Sequence, residues 1–535
     1  MMPAKPSSYH LEIQTHGKNP YGVVRTSYRE GGKVKHSNLC RLSGLPLEKL
    51  KAIQAAMQDR TVSKDEFKIL SSREYGASFA VHSILKELRL HKAIHTHYWQ
   101  DWVKSSIAMI VGRLVYQGSK LSLSHCSGYS SLWNVCGVNG EINVKTNCYD
   151  AMDALFARQE SIQKTLAKKH LHDGTLVLYD MTSCYMEGEY EDSGLVEFGY
   201  NRDKKRGHEQ IVISLLCNKD GCPVAVEVFP GNTKDETTVL DKITEIKQKY
   251  AIENVIFVGD RGMITRSKYE QLDHETVKVI SALNHSSIQK LNDKGTIQMS
   301  LFDENNIVEV IDGDTRYMLC KNPLMAEKET KTRQRLIELT TSELDKIVAT
   351  TRKTKYSKAV RAGKVVNQYK MAKFIILEGS DANLTYRLDE AKIAKESLLD
   401  GCYVVFTDVP PENLSAIEAV KSYKDLIKVE QAFRNLKTTT LEIRPIYHKT
   451  DERIKCHVFI CMLAYYVMWH MRQRLNQLAD IDGIGANRKY SFDYVLESLK
   501  SIRNESVEFM GAHSNIITTP NLEQQNILNL LGVAV

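Results

Sequence analysis

Two aspartates in this 535-residue sequence each sit directly after a short apolar run. Asp180 ends the run in TLVLYDMTS (175–183), and Asp260 ends the run in NVIFVGDRG (254–262). In open α/β sheets, ligands gather beyond strand ends. Two carboxylates brought together there repel one another and need a counter-cation, for which hard, oxygen-seeking Mg²⁺ or Mn²⁺ is the natural choice. With a third carboxylate, such a site holds two ions about 3.5–4 Å apart that clamp the attacking and leaving oxygens of an in-line phosphoryl displacement. Aspartate after a strand is also common in turns and helix caps, so neither residue carries this reading alone.

The third acid comes from KSYKDLIKVEQAFRNLK (421–437), where Tyr423, Glu430 and Lys437 recur at seven-residue intervals. On an α-helix that spacing keeps all three on one face, two turns apart. Leu426, Ile427, Val429 and Phe433 fall on neighbouring positions suited to packing on a sheet. Glu430 could then reach the metals while Tyr423 and Lys437 reach phosphate oxygens. Arg434, one turn beyond Glu430, and Arg261, directly after the second aspartate, are further candidates for phosphate contact. The competing reading is an amphipathic helix with an ordinary solvated Glu and Lys, and an Arg261 that caps the following turn. His208 in RGHEQ suits a proton shuttle less well than a surface histidine at the start of a strand. Trp133 and Trp469 read as packing aromatics rather than base-stacking wedges.

These residues need elements to hold them. The order from 175 is strand, hairpin (209–232, turning at Lys219-Asp220-Gly221), helix (235–250), strand, short helix and strand (278–283). That is a mixed α/β sheet with acids at strand ends. Residues 171–284 and 411–475, the latter with the Glu430 helix, are therefore expected to form two halves of one core. Residues 285–410 form an insertion domain, polar and strand-prone, with a basic run TTRKTKYSKAVRAGKVVNQYK that suits a solvated helix face better than a DNA-contacting surface. Upstream, 1–70 is a basic β-hairpin region around Gly31-Gly32, equally a DNA contact or a solvated sheet face, and 71–170 is a helical domain expected to bind DNA ends. Residues 476–535 form a C-terminal region for which oligomerisation is the one role considered.

Composition sets loose bounds. A chain this long exceeds one hydrophobic core, so three or four domains are expected. Its 42% apolar and 26% charged residues are those of an ordinary globular protein, and a net charge of +7 permits a nucleic-acid partner without demanding one. The eleven cysteines include no CxxC pair, which argues against a zinc ribbon and for reduced, buried thiols. The N-terminal stretch lacks the apolar run of a signal peptide. The longest apolar run, Val458 to Trp469, is short for a bilayer and suits a buried core helix. No membrane partner is expected. Neither a GxGxxG nor a GxxxxGK[ST] motif supports a nucleotide-binding α/β enzyme.

Together, YDMTS, VGDRG and the Tyr-Glu-Lys helix resemble the DDE transposases of bacterial insertion sequences, in particular the group with a Tyr-x2-Arg-x3-Glu-x6-Lys signature. The Arg position is Leu426 here, a departure that removes one guanidinium, for which Arg434 could compensate. RPIYHKTDERIKCHVFICMLAYYV and the GGKV hairpin fit a subset in which Leu is usual there. The resemblance implies a ribonuclease H-like core with a mixed five-stranded sheet and flanking helices, interrupted by a mainly β insertion domain. It implies a catalytic and metal-binding set of Asp180, Asp260 and Glu430 with two Mg²⁺ or Mn²⁺ ions, and DNA contacts at Tyr423, Lys437, Arg434 and Arg261. It also implies cleavage at transposon ends, 3′-hydroxyl strand transfer, double-stranded DNA partners (terminal inverted repeats and target), a homodimer or larger multimer on paired ends, and residence in a bacterial cytoplasm with the nucleoid. The rivals are a ribonuclease H-like nuclease without strand transfer and an inactive transposase-derived DNA-binding protein.

Overall fold

The computed structural model describes residues 8–15, 19–58, 67–203, 205, 207–234, 243, 247–250, 252–261, 263–264, 269–303, 305–350, 356–380, 383–439, 441–481, 491–509 and 512–535. The helix expected over 235–250 lies largely outside them. The chain forms two compact units: Met1–Arg158, Thr440–Glu442 and Leu463–Val535 make one, and Gln159–Thr439 with Ile443–Met462 make the other.

The first unit opens with an antiparallel meander of Ser8–Gln14, Tyr21–Glu30 and Lys33–Leu42. The expected hairpin is present, with Glu30 opposite Lys33. Gly31 and Gly32 both take positive φ, 59° and 78°, the backbone that a two-residue type I′ turn demands. The following helices include Asp101–Val115, buried almost all round because SSIAMIVGRLV offers no polar stripe. A second sheet pairs Phe67–Glu74 with Arg503–Phe509, and that strand in turn with Ala512–Ile517.

The second unit is built on one eight-stranded sheet. Its strands are β1 (Thr175–Tyr185), β2 (Gln210–Asn218), β3 (Pro223–Pro230), β4 (Val255–Gly259), β5 (Val277–Ala282), β6 (Val308–Asp312), β7 (Thr315–Lys321) and β8 (Cys402–Thr407). The spatial order is β6-β7-β8-β5-β4-β1-β2-β3. Only β5, β4 and β1 run parallel, and the other pairs are antiparallel. It is the mixed sheet with flanking helices of a ribonuclease H-like core. Buried Val, Ile and Phe of β1, β4 and β5 reflect a sheet covered on both faces.

Three expectations need correction. The sheet has eight strands rather than five, because β6, β7 and β8, read as part of the insertion, pair onto its edge, with Thr407 opposite Ile280. The insertion is not mainly β. Between β7 and β8 it carries, among the described residues, helices Pro323–Ala349, Lys358–Gln368 and Glu390–Ser397 and one small antiparallel pair, Ile375–Glu378 with Thr385–Leu388. Leu344, Ile347, Ala362, Val365, Phe374 and Leu384 give it a core of its own. Of the basic run, residues 351–355 lie outside the described residues; the part that follows is a helix, Lys358–Gln368, capped by Ser357, of which only Ala362, Val365 and Val366 are buried. Asp180 is mid-strand rather than at a strand end, since antiparallel pairing with β2 carries β1 on to Tyr185.

The excursion between β7 and β8 leaves and returns at neighbouring points, with Lys321 opposite Cys402. The Asn322 N–H donates to the Gly401 carbonyl at 2.8 Å. Gly401 has φ 70°, and a Cβ there would lie 2.4 Å from the Asn322 oxygen, so this closure requires glycine.

The helix Asp451–Ile481 contains a stretch, Asp451–Leu475, long and apolar enough to cross a membrane, with 83% of its apolar window buried in the fold. That burial is the environment of a core helix.

Candidate active site

The site begins with strand register. The parallel pairing of β1 and β4 ends at Tyr179 opposite Gly259. One residue further on both chains places Asp180 beside Asp260, on backbones about 4.8 Å apart. Each aspartate accepts from the next backbone N–H, Met181 to Asp180 at 2.7 Å and Arg261 to Asp260 at 2.8 Å. Asp180 is half-buried and Asp260 exposed.

Glu430 arrives on a separate element. The stretch expected to be one helix is broken into Ala416–Lys424, a turn at Asp425–Leu426, Ile427–Arg434 and a π-helical turn Asn435–Thr439. At the break the bonds tighten to three-residue spacing, Leu426 N–H to Tyr423 and Lys428 N–H to Asp425. Ser415 and Glu418 form a capping box that fixes the start of the first piece. Val429, Ala432 and Phe433 are buried, and Glu430 projects from the exposed side. Leu426 is only 7% exposed, so the position of the signature arginine is filled here by a packing side chain. Arg434 is exposed in the last turn of the same short helix.

The three acids feel one another. Burial pushes the Asp180 carboxyl up to about 7, and the charges of Asp260 and Glu430 push the same way. The Met181 N–H and the nearby Arg202 guanidinium oppose that shift without cancelling it. Among the described residues, no lysine, arginine or histidine forms an ion pair with any of the three. The Tyr423 hydroxyl donates to Asp260 at 3.2 Å, and burial together with the Asp260 charge raises its own pKa. A set of three oxygen donors that repel one another, with no cation paired to it among the described residues, suits Mg²⁺ or Mn²⁺.

Lys437, from the π-helical turn, reaches β1 two residues beyond Asp180. Its ammonium donates to the Thr182 hydroxyl at 2.7 Å and pairs with Asp203 at 3.2 Å. Burial lowers its pKa while Asp203 opposes the shift. Arg444 pairs with the other Asp203 oxygen at 3.1 Å and lies 4.2 Å over the Tyr185 ring. Arg202 anchors the loop that carries Asp203. Its backbone N–H donates to Ser183 at 2.9 Å, and its guanidinium donates to the Met181 carbonyl.

Sequence reasoning missed Arg202, Asp203 and Arg444. The signal was the charge run Arg202-Asp203-Lys204-Lys205-Arg206 between two strands, from whose surroundings only His208 was singled out. His208 is half-buried, 3.4 Å from the Met186 carbonyl. Arg261 is exposed and lines a cavity of about 430 Å³ with Tyr269, Lys290, Tyr317 and Phe406. Trp133 is a packing residue, 1% exposed, whose indole donates to the Leu123 carbonyl. Trp469 is half-buried against His470.

A solved structure of a piggyBac transposase synaptic complex with hairpin DNA aligns over 79% of this chain and 78% of its own, at 8% identity and a TM-score of 0.37. No curated protein matches. A family described as "Transposase DDE domain" matches residues 153–467, well over half the chain and spanning all three acids, and the chain belongs to that family.

Proposed function

We propose that this protein is a DNA transposase of the insertion-sequence group with the Tyr-Glu-Lys signature, cutting DNA at transposon ends and joining the 3′-hydroxyl to target DNA. What supports the reading is the mutual repulsion of Asp180, Asp260 and Glu430, to which no lysine, arginine or histidine is paired among the described residues. Asp180, Asp260 and Glu430 would hold two Mg²⁺ or Mn²⁺ ions, which when bound supply Lewis-acid activation of the attacking and leaving oxygens.

The chain's own residues do the positioning. Tyr423 fixes one Asp260 oxygen, so that carboxylate keeps a single orientation. Burial of Asp180 raises the cost of its negative charge and so favours a bound cation. Lys437, Arg434 and Arg261 supply positive charge for the DNA backbone, which three bare carboxylates repel. Double-stranded inverted repeats and target DNA are the partners, bound by a homodimer or larger multimer in the bacterial cytoplasm.

The test uses the DNA that flanks the coding region. With Mg²⁺ or Mn²⁺, wild-type protein should nick duplexes carrying those flanks and join a pre-cut end to a plasmid. Cleavage without joining would leave a nuclease, and binding without either would leave a DNA-binding relic.

A further inference from the structure

Lys437 and Arg444 come from different segments, one from the π-turn after the Glu430 helix and one from the loop beyond it, yet both end on Asp203. Two cations converge on one carboxylate. The three side chains are 11%, 16% and 19% exposed for Lys437, Arg444 and Asp203, so the cluster lies at the surface without being loosely solvated. Its position matters. Thr182, which also accepts from Lys437, is two residues from Asp180 on β1, and period-two alternation puts both on one face. Thr182 also lines an open cavity of about 310 Å³ with Tyr200, Arg202 and Lys234.

We propose that Lys437, Arg444 and Thr182 form a phosphodiester-binding subsite beside the acids, and that Asp203 is an internal anion holding it assembled until a DNA phosphate displaces it. This rests on the transposase reading given above.

The geometry suits exchange. Arg202, not Asp203, ties the loop to β1, through its backbone N–H on Ser183 and its guanidinium on the Met181 carbonyl. The Asp203 carboxylate can therefore rotate away without detaching the loop. Thr182 still accepts from the Lys437 ammonium afterwards, and the Tyr185 ring still supports the Arg444 guanidinium. Two cations against one carboxylate leave one surplus positive charge even in the resting cluster. Arginine over an aromatic ring beside a lysine also gives a fork and a point charge, which together grip a phosphate from two sides.

The test is a salt titration of binding to a duplex taken from the DNA flanking the coding region, with wild type, Asp203→Asn, Arg444→Gln and the double variant. Asp203→Asn removes the competitor, so it should bind about three- to tenfold more tightly, because two ion pairs no longer have to be broken. Its slope of log affinity against log salt should steepen by roughly 0.9 for each cation newly given to phosphate. Arg444→Gln should bind more weakly with a flatter slope, and adding it to Asp203→Asn should remove most of the gain. A mere loss of structure in Asp203→Asn cannot tighten binding or steepen the slope. If that variant does not fold, the flatter slope of Arg444→Gln alone decides. Weaker or unchanged binding by a folded Asp203→Asn, or an unchanged slope in Arg444→Gln, would overturn the subsite while leaving the transposase reading standing. Failure of wild type to bind DNA at all would overturn both.

Discussion

Replacing Asp180 by asparagine should make the metal-free protein more stable at pH 8. The Asp180 carboxyl has a folded-state pKa near 7 against an ordinary value of 3.8, raised first by burial and then by Asp260 and Glu430. Between those two values the folded chain keeps a proton that the unfolded chain has already lost. Stability therefore falls as pH rises from about 4 to 7 and levels off above, where the folded chain carries a poorly solvated charge. At 1.36 kcal/mol for each tenfold change, a carboxyl moved from 3.8 to about 7 costs at most about 4 kcal/mol to ionise in place. Asp180 is only half-buried, and solvent screening brings this to about 2 kcal/mol. Asparagine keeps the shape and can still accept from the Met181 N–H, but it never ionises. For a unit of roughly 300 residues, ~2 kcal/mol corresponds to about 3 °C in melting temperature. The assay is a melt of wild type and Asp180→Asn in chelator at pH 5 and pH 8. The variant's advantage should be small at pH 5 and largest at pH 8. Added Mg²⁺ or Mn²⁺ should then stabilise wild type alone and close or reverse the gap. An equal gap at both pH values, or a wild type more stable than the variant at pH 8 in chelator, would refute the electrostatic account of the site.

Asp260→Asn and Glu430→Gln should abolish cleavage while leaving binding of end DNA largely intact, since backbone contacts by Lys and Arg remain; gel-shift and nicking assays on the same preparations check this. Tyr423→Phe removes a single hydrogen bond to Asp260 and should cost about 1 kcal/mol, or roughly fivefold in cleavage rate, measured at saturating metal. Leu426→Arg restores the commoner signature residue yet buries a guanidinium at a 7% exposed position, so a loss of about 3 kcal/mol or more is expected in denaturant unfolding; full stability would mean that the helix break at Asp425–Leu426 opens to admit it.

The convergence of the three acids was legible because its signals were local. Two apolar runs each end in aspartate, and Tyr423 and Glu430 act on those aspartates from either side of the helix break, whereas Lys437 ends on Thr182 and Asp203. The sheet's full width was not legible. β6 is VEVID, whose alternating Val308 and Val310 mark a strand without telling which sheet it joins, and it reaches the sheet only through β7. The long helix Pro323–Ala349 buries only Thr340, Leu344 and Ile347, so helical periodicity shows in its last third alone. The placing of Lys437 was missed for another reason. Its partner Asp203 is 234 residues away, and no local pattern encodes an ion pair across that separation.

The pairing of Lys321 with Cys402 and the hydrogen bond from Asn322 to Gly401 have a consequence for how such chains diversify. The excursion departs and returns on adjacent strands, roughly 5 Å apart, so the core experiences it as a staple closed at its base. Loop-closure entropy grows only logarithmically with length, so doubling or halving the excursion changes the core's stability by about 0.6 kcal/mol. The segment is in effect an interchangeable cassette. A short glycine-bearing turn, or an unrelated domain whose ends meet, should graft between residues 321 and 402 and leave the register of β7 and β8 undisturbed. New binding surfaces could thus be tried against the same three carboxylates without refolding the sheet that holds Asp180 and Asp260.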